Sequence, residues 1–190
     1  MVKRLTTFAI VAVLAGLGAL GGFPQAPSAP PKPGAEQEKL AFFVGRWNSQ
    51  ADLKASAFGP GGKYSGTETC EWVANRFGIL CRTQGTLPMG PITGVSMIGY
   101  DAGEKTYVYS EINNFGETSI SRGTVDGDTW TWTNDAKMAG KLMHQHFTMK
   151  VVSPDAATYK FEMAEGDGPF NMVMEGKQTR LTAGKPTRKN

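Results

Sequence analysis

Histidine and cysteine are almost absent from this sequence. Among 190 residues there are two histidines, His144 and His146, and two cysteines, Cys70 and Cys81. Both histidines fall in one stretch, KLMHQHFTMK at 141–150, so a Ser/His/Asp arrangement has no sequence support. There is no C-x-x-C spacing to tune a thiol for redox exchange. Gly-rich stretches such as GPGG and MGP occur as turn signals rather than ahead of a helix, which excludes a phosphate-binding loop. Aspartates gather only in short turns such as Asp126-Gly127-Asp128, too short for a calcium loop of the EF-hand type. Charge is sparse as well, at 19% of residues. The 20 basic and 17 acidic side chains nearly cancel once Lys3 and Arg4 are set aside with the segment discussed next. No electrostatic footprint for nucleic acid is left. The basic end, with Lys185, Arg188 and Lys189, reads as a solvated tail over 182–190.

What the chain does contain is an address, followed by a repeating pattern. The start MVKRLTTFAIVAVLAGLGALGG places Lys3 and Arg4 before an apolar run from Phe8 to Leu20. This has the charged and hydrophobic regions of a secretory signal, assigned to 1–22. Cleavage could follow Ala19-Leu20-Gly21 or Ala26-Pro27-Ser28, and the alternative is an uncleaved anchor, for which the run is short. No cysteine follows the run to carry a lipid. A Pro-rich spacer covers 23–35. The expected destination is the periplasm or the extracellular space, with no stable membrane insertion after cleavage.

Export to an oxidising compartment changes how the cysteines read. They flank EWVANRFGIL. A two-residue loop at Asn75-Arg76 would pair Ala74 with Phe77, Trp72 with Ile79, and Cys70 with Cys81. Directly opposed thiols on one sheet face approach the separation a disulfide needs. A structural disulfide is therefore predicted, two buried thiols being the alternative.

From Arg46 onward apolar residues recur with period two. In RWNSQADLKA, Trp47, Ser49, Ala51, Leu53 and Ala55 share one face, and polar residues take the other. Further strands are predicted at 63–73, 77–86, 93–100, 105–112, 117–125, 129–134, 141–152, 157–164 and 170–181. The turn signals between them are short, as in hairpins rather than parallel crossovers. About ten antiparallel strands in a meander must hide their edges, and closure into an up-and-down barrel does so. One helix is predicted, in AEQEKLAFFV, with Leu40, Phe43 and Val44 on the face that would cap the barrel. The fold class is all-β: a closed antiparallel barrel of about ten strands over 36–181 with a short N-terminal helix.

Gly45-Arg46-Trp47, at the entry to the first strand, resembles the GxW opening of lipocalin-like calycin barrels. GTETCEWVANRFGIL, GYDAGEKTYVY, GTVDGDTWTW and VMEGKQTRL resemble successive motifs of the bacterial domain of unknown function 1579 family. The likeness covers roughly residues 36 to 181. It implies a lipocalin-like barrel and carries over no catalytic residue. The family's GRF motif is matched at Arg76 and Phe77, with Ala74-Asn75 where it has glycines.

Alternation points Trp47, Tyr64, Glu68, Trp72, Phe77, Trp130, Trp132, Phe147, Phe161 and Met172 into the lumen as candidate ligand contacts. Each could equally be core packing. Glu68 is the singular polar member, because a carboxylate among aromatic rings must be paired or protonated. It could anchor a ligand, meet a lumenal arginine such as Arg122, or serve as a general acid or base; a one-residue slip would place it in water. For the histidine strand, a three-residue loop at Pro154-Asp155-Ala156 would pair Phe147 with Met163, Met149 with Phe161 and Val151 with Tyr159. His144 and His146 would then point outward, roughly 7 Å apart. Glu162 is the one diagonal candidate for a third metal ligand, so no metal site, cofactor or haem is expected.

The sequence thus favours an exported binding or carrier barrel for a small apolar molecule. The alternatives are an enzyme using the lumenal carboxylate, or an envelope interaction module with a filled core. Nucleic acid is not an expected partner, and the sequence leaves the oligomeric state open.

Overall fold

The structure, a computed structural model, describes residues 30–56 and 59–181. The expected signal segment, most of the spacer and the basic tail lie outside the described residues.

The chain opens with a helix α1 (Ala35–Lys39) that runs on as a 3₁₀ turn, Leu40–Phe42. Ten strands follow: β1 (Gly45–Leu53), β2 (Gly62–Val73), β3 (Gly78–Leu87), β4 (Gly90–Asp101), β5 (Thr106–Asn113), β6 (Thr118–Asp126), β7 (Thr129–Met138), β8 (Lys141–Ser153), β9 (Ala156–Glu165) and β10 (Asn171–Arg180). Each pairs with its sequence neighbour, and β1 pairs with β10, so the sheet closes as an antiparallel up-and-down barrel. Closure leaves no unpaired edge to aggregate.

The helical segment plugs one end. Gln37 Oε1 accepts from the Gly34 N–H at 2.9 Å, satisfying one of the donors a helix start leaves open. Leu40 is fully buried and Phe43 nearly so, and Val44 packs against the same core. Burying Leu40 alone contributes roughly 1.5–3 kcal/mol. Arg76, on the β2–β3 turn, locks the plug from outside: it pairs with Glu38 at 2.7 Å and lies 4.3 Å over the Trp72 ring.

Bulky rings on a tightly curved barrel need room beside them. Trp132 lies flat over Gly123 of β6, and Tyr64 folds over Gly66 of its own strand. A Cβ at either glycine would collide with the ring, so these positions let the wall bend around an aromatic side chain.

Two β-bulges set which residues face inward. In β8 the pairing shifts between Val151 and Ser153, and in β10 between Met172 and Met174. The turn after β8 is the two-residue Pro154-Asp155, tighter than expected, and the extra residue Val152 restores the phase. Phe147 therefore pairs with Phe161, Met149 with Tyr159, and Val151 with Ala157, two residues from the predicted register but on the predicted face. The β2–β3 hairpin pairs Trp72 with Ile79 and Cys70 with Cys81, as read from the sequence. Its loop is longer than expected, however. Ala74, Asn75 and Arg76 all take positive φ, so Ala74 and Phe77 leave the ladder instead of pairing. Phe77 is thus a half-buried turn residue at the closed end rather than a lumenal strand residue.

Candidate functional site: the barrel lumen

The plugged end of the lumen is filled with rings. Trp130 meets Phe43 and Tyr107 edge-on at 4.9 and 4.8 Å, and stacks on Trp132 at 6.0 Å. Trp47 is 1% exposed, and its indole N–H donates to the Phe43 carbonyl at 2.8 Å. The Arg180 guanidinium lies 4.2 Å over that indole, donates to the Phe42 and Val44 carbonyls, and pairs with Asp155 at 3.0 Å. Tyr107 donates to the Glu36 carboxylate at 2.6 Å, and the Lys39 ammonium first and this phenol second hold that acid below its usual range. Cys70 and Cys81 form the predicted disulfide, with an S–S distance of 2.07 Å.

Beyond this plug the lumen turns polar. Glu68 (β2), Thr83 (β3), Ser96 (β4), Tyr109 and Glu111 (β5) and Tyr159 (β9) all lie on the inward register. The Thr83 hydroxyl donates to Glu68 at 3.3 Å, Tyr109 donates to Glu111 at 2.6 Å, and the Ser49 and Tyr159 hydroxyls are 3.1 Å apart. Burial, opposed by the Thr83 hydrogen bond and reinforced by the charge of Glu111, pushes Glu68 up to about 7. Burial likewise raises Tyr64 to about 12 and pushes Tyr109 and Tyr159 up, keeping all three phenols protonated at ordinary pH. Glu68 and Tyr109 face the barrel axis and are half-buried rather than packed out. Apolar walls complete the lumen: Phe147 stacks on Tyr159 at 5.6 Å, and Phe161 and Met174 pair across β9 and β10.

The sequence-predicted residues divide between these regions. Trp47, Trp72 and Trp130 belong to the filled end, Trp132 to its boundary, and Tyr64, Glu68, Phe147 and Phe161 to the polar and apolar walls above it. Met172 is a correction. It pairs with Glu162 on the outer surface and is 36% exposed, because the bulge at Val173 reverses the alternation before Met174. Phe170 is also exposed, its ring 5.8 Å from His146. Arg122 is a second correction: it points outward between Val108 and Thr133 and cannot neutralise Glu68. Tyr109 and Glu111 escaped notice, although the period-two run Tyr107, Tyr109, Glu111 in TYVYSEIN marks one face.

His144 and His146 face outward as expected. His144 bonds Asp135 at 2.6 Å, and His146 sits 3.9 Å from Glu162 directly across the strand pair. Among the described residues, the one trio of metal-type ligand atoms within reach of each other is Glu68, Cys70 and Cys81. Its two sulfurs are spent in the disulfide, so neither offers a thiolate. A groove of about 1030 Å³ also lies on the outside of the barrel across β7–β10, β1 and β2. Its lysines are set among acids, as in the Lys63–Asp52 and Lys160–Glu162 pairs, and it does not touch Glu68 or Glu111.

Residues 32–180 match the family described as "Protein of unknown function (DUF1579)". The chain belongs to the DUF1579 family. Solved structures share the fold. The crystal structure of Rv2717c from M. tuberculosis is 12% identical, covers 78% of this chain and 99% of its own, and gives a TM-score of 0.56. The S-type phycobiliprotein lyase CPES from Guillardia theta is also 12% identical, covering 78% of this chain and 93% of its own at a TM-score of 0.53. No curated protein matches the chain. The DUF1579 barrel is thus a recognisable architecture whose chemistry must be argued from its own lumen.

Proposed function

We propose that this DUF1579 protein is an exported binding or carrier barrel that holds a small, largely apolar molecule in the upper lumen. The observation carrying this reading is the inward-facing, half-buried group of Glu68, Tyr109 and Glu111 beyond the ring-filled plug. Phe147, Phe161, Trp132 and Tyr64 supply apolar walls, and a few convergent polar groups fix orientation, the usual make-up of a ligand pocket. Trp47, Trp72 and Trp130 support the site by holding the plugged end rigid. Export rests on the signal-like start and agrees with the Cys70–Cys81 disulfide, which persists in oxidising compartments. A second reading is favoured by Glu68 alone: a carboxyl titrating at about 7 is suited to general acid–base work.

Native mass spectrometry of protein recovered from the exported fraction tests the proposal. The expected result is a chain shortened at its N-terminus that carries a small compound released on denaturation. A full-length chain in the cytoplasmic fraction, with no compound bound and no small apolar probe entering the lumen, would overturn it. Turnover of the bound compound that stops in Glu68→Gln would favour the enzymatic reading.

A further inference from the structure

Midway along the lumen stand two carboxylates, Glu68 and Glu111, with no cation paired to either among the described residues. Glu111 Oε1 leans over Gly94, 3.5 Å from where a Cβ would stand. Gly94 pairs with Thr83, whose hydroxyl bonds Glu68, so only Thr83 and Gly94 lie between the two acids. The backbones of Glu68 and Gly94 are two strand spacings apart, roughly 9–10 Å. Among the described residues two basic side chains lie on the inward register: Lys141, paired with Glu165 at the open rim, and Arg180. The latter is committed at the plugged end to Asp155, the Phe42 and Val44 carbonyls and the face of Trp47. Negative charge of this kind is costly inside a protein unless a cation or a proton meets it.

A second feature points to the same place. Ser96 pairs with Glu111 on the inward face, is 4% exposed, and its Oγ has no hydrogen-bond partner. Its nearest polar neighbour is the Tyr109 phenol, close enough to temper the rise in that group's titration but too poorly aligned for a full hydrogen bond, and Tyr109 gives its own proton to Glu111. A buried hydroxyl with spare hydrogen-bonding capacity beside Glu111 is a polar group that a donor in the lumen could engage.

We propose that the ligand is a cationic amine on an apolar or aromatic body, its ammonium seated between Glu68 and Glu111 and its body against Phe147, Phe161 and Tyr159. An ammonium offers up to three donors, enough for both carboxylates and the Ser96 hydroxyl. The aromatic faces nearby add cation–π attraction. This rests on the lumen-binding reading and names the ligand class for it. The groups facing Glu68 are Trp47 and Ser49 from β1, Tyr64 from its own strand, Thr83 from β3, Tyr109 and Glu111 from β5, and Tyr159 from β9. The phenols stay protonated through neutral pH, so a proton on Glu68 is the competitor for the ammonium.

Calorimetric titration of the full chain with 4-phenylbutylamine, 4-phenylbutanol and 4-phenylbutyrate tests the inference. At pH 8 the amine is expected to bind at least tenfold more tightly than the alcohol, and the carboxylate more weakly than either. Amine affinity should fall at least tenfold between pH 8 and pH 5. Glu68→Gln and Glu111→Gln should each weaken the amine at least tenfold and the alcohol by a much smaller factor, circular dichroism confirming that both variants fold. Equal binding of amine and alcohol, or tighter binding of the carboxylate, would overturn the cationic assignment while leaving a lumenal apolar site standing. Failure of all three probes to bind would overturn the assignment and count against the lumen-binding reading too.

Discussion

The two halves of this barrel are built from the same strands by opposite rules. At the plugged end, inward positions carry Trp47, Trp130, Tyr107 and Ile79, each almost fully buried, and polar atoms there are paired: the Trp47 indole with a carbonyl, Tyr107 with Glu36, Arg180 with Asp155. One or two turns of strand further on, the same registers carry Glu68, Ser96, Glu111 and Asn134. Ser96 Oγ there has no hydrogen-bond partner, and the apolar rings of Phe147 and Phe161 remain half-buried. The first half has the satisfied, interlocked character of a core. The second half keeps unmet hydrogen-bonding capacity and charge, which a core built for stability alone would not retain. The contrast separates the part of the sequence that specifies the fold from the part available for a ligand.

If that division is right, truncation should hurt most at the plug. Trp130→Ala removes a ring that touches Phe43, Tyr107 and Trp132 and is expected to cost about 3–5 kcal/mol, read from the midpoint of urea unfolding. A loss below about 1 kcal/mol would mean that the plugged end is no better packed than the lumen above it.

Glu68→Gln should act in the opposite direction, with an effect that depends on pH. An unfolded glutamate titrates near 4.5 and Glu68 in the barrel at about 7, so the folded state holds more protons between those values. Stability associated with the protonated carboxyl is fully present below pH 4.5 and is lost as pH rises through 7. The variant should therefore match the parent at pH 4 and exceed it by about 3 kcal/mol at pH 8. An offset that does not change with pH would remove the case for a strained lumenal carboxylate.

The smallest effect is expected outside the barrel. His144→Ala and His146→Ala break exposed contacts with Asp135 and Glu162, and each should change stability by no more than about 0.5 kcal/mol. A larger cost at either would show that the outer face takes more part in the fold than its exposure suggests.

The architecture was legible because the strands alternate cleanly and the turns announce themselves. Trp47, Ala51 and Leu53 fall inward just as the period in RWNSQADL requires, and opposed Cys70 and Cys81 follow from hairpin arithmetic. The errors arose where one extra residue changes phase. Val152 and Val173 look like any strand valine, yet each sits at a bulge that resets the pattern, which is why Met172 reaches the surface. The Ala74–Arg76 turn was misjudged for a different reason: three successive residues in the left-handed region give no compositional warning unless glycine is present. The site itself was half visible. Glu68 stood out as a lone acid among rings, whereas its relation to Glu111 depends on β2 and β5 being brought close by barrel curvature, with two strands between them. Arg180, too, gains its meaning only when the last strand closes onto the first.

The central claim is that Glu68 is an inward-facing, half-buried carboxyl with no cation paired to it among the described residues, available to a guest in the lumen. The most direct test is its own titration, followed by the side-chain carboxyl ¹³C resonance of selectively labelled protein and assigned by its loss in Glu68→Gln. The account predicts a midpoint at about 7, displaced downward when 4-phenylbutylamine is added. A midpoint at the ordinary glutamate value near 4.5, unmoved by the amine, would contradict it.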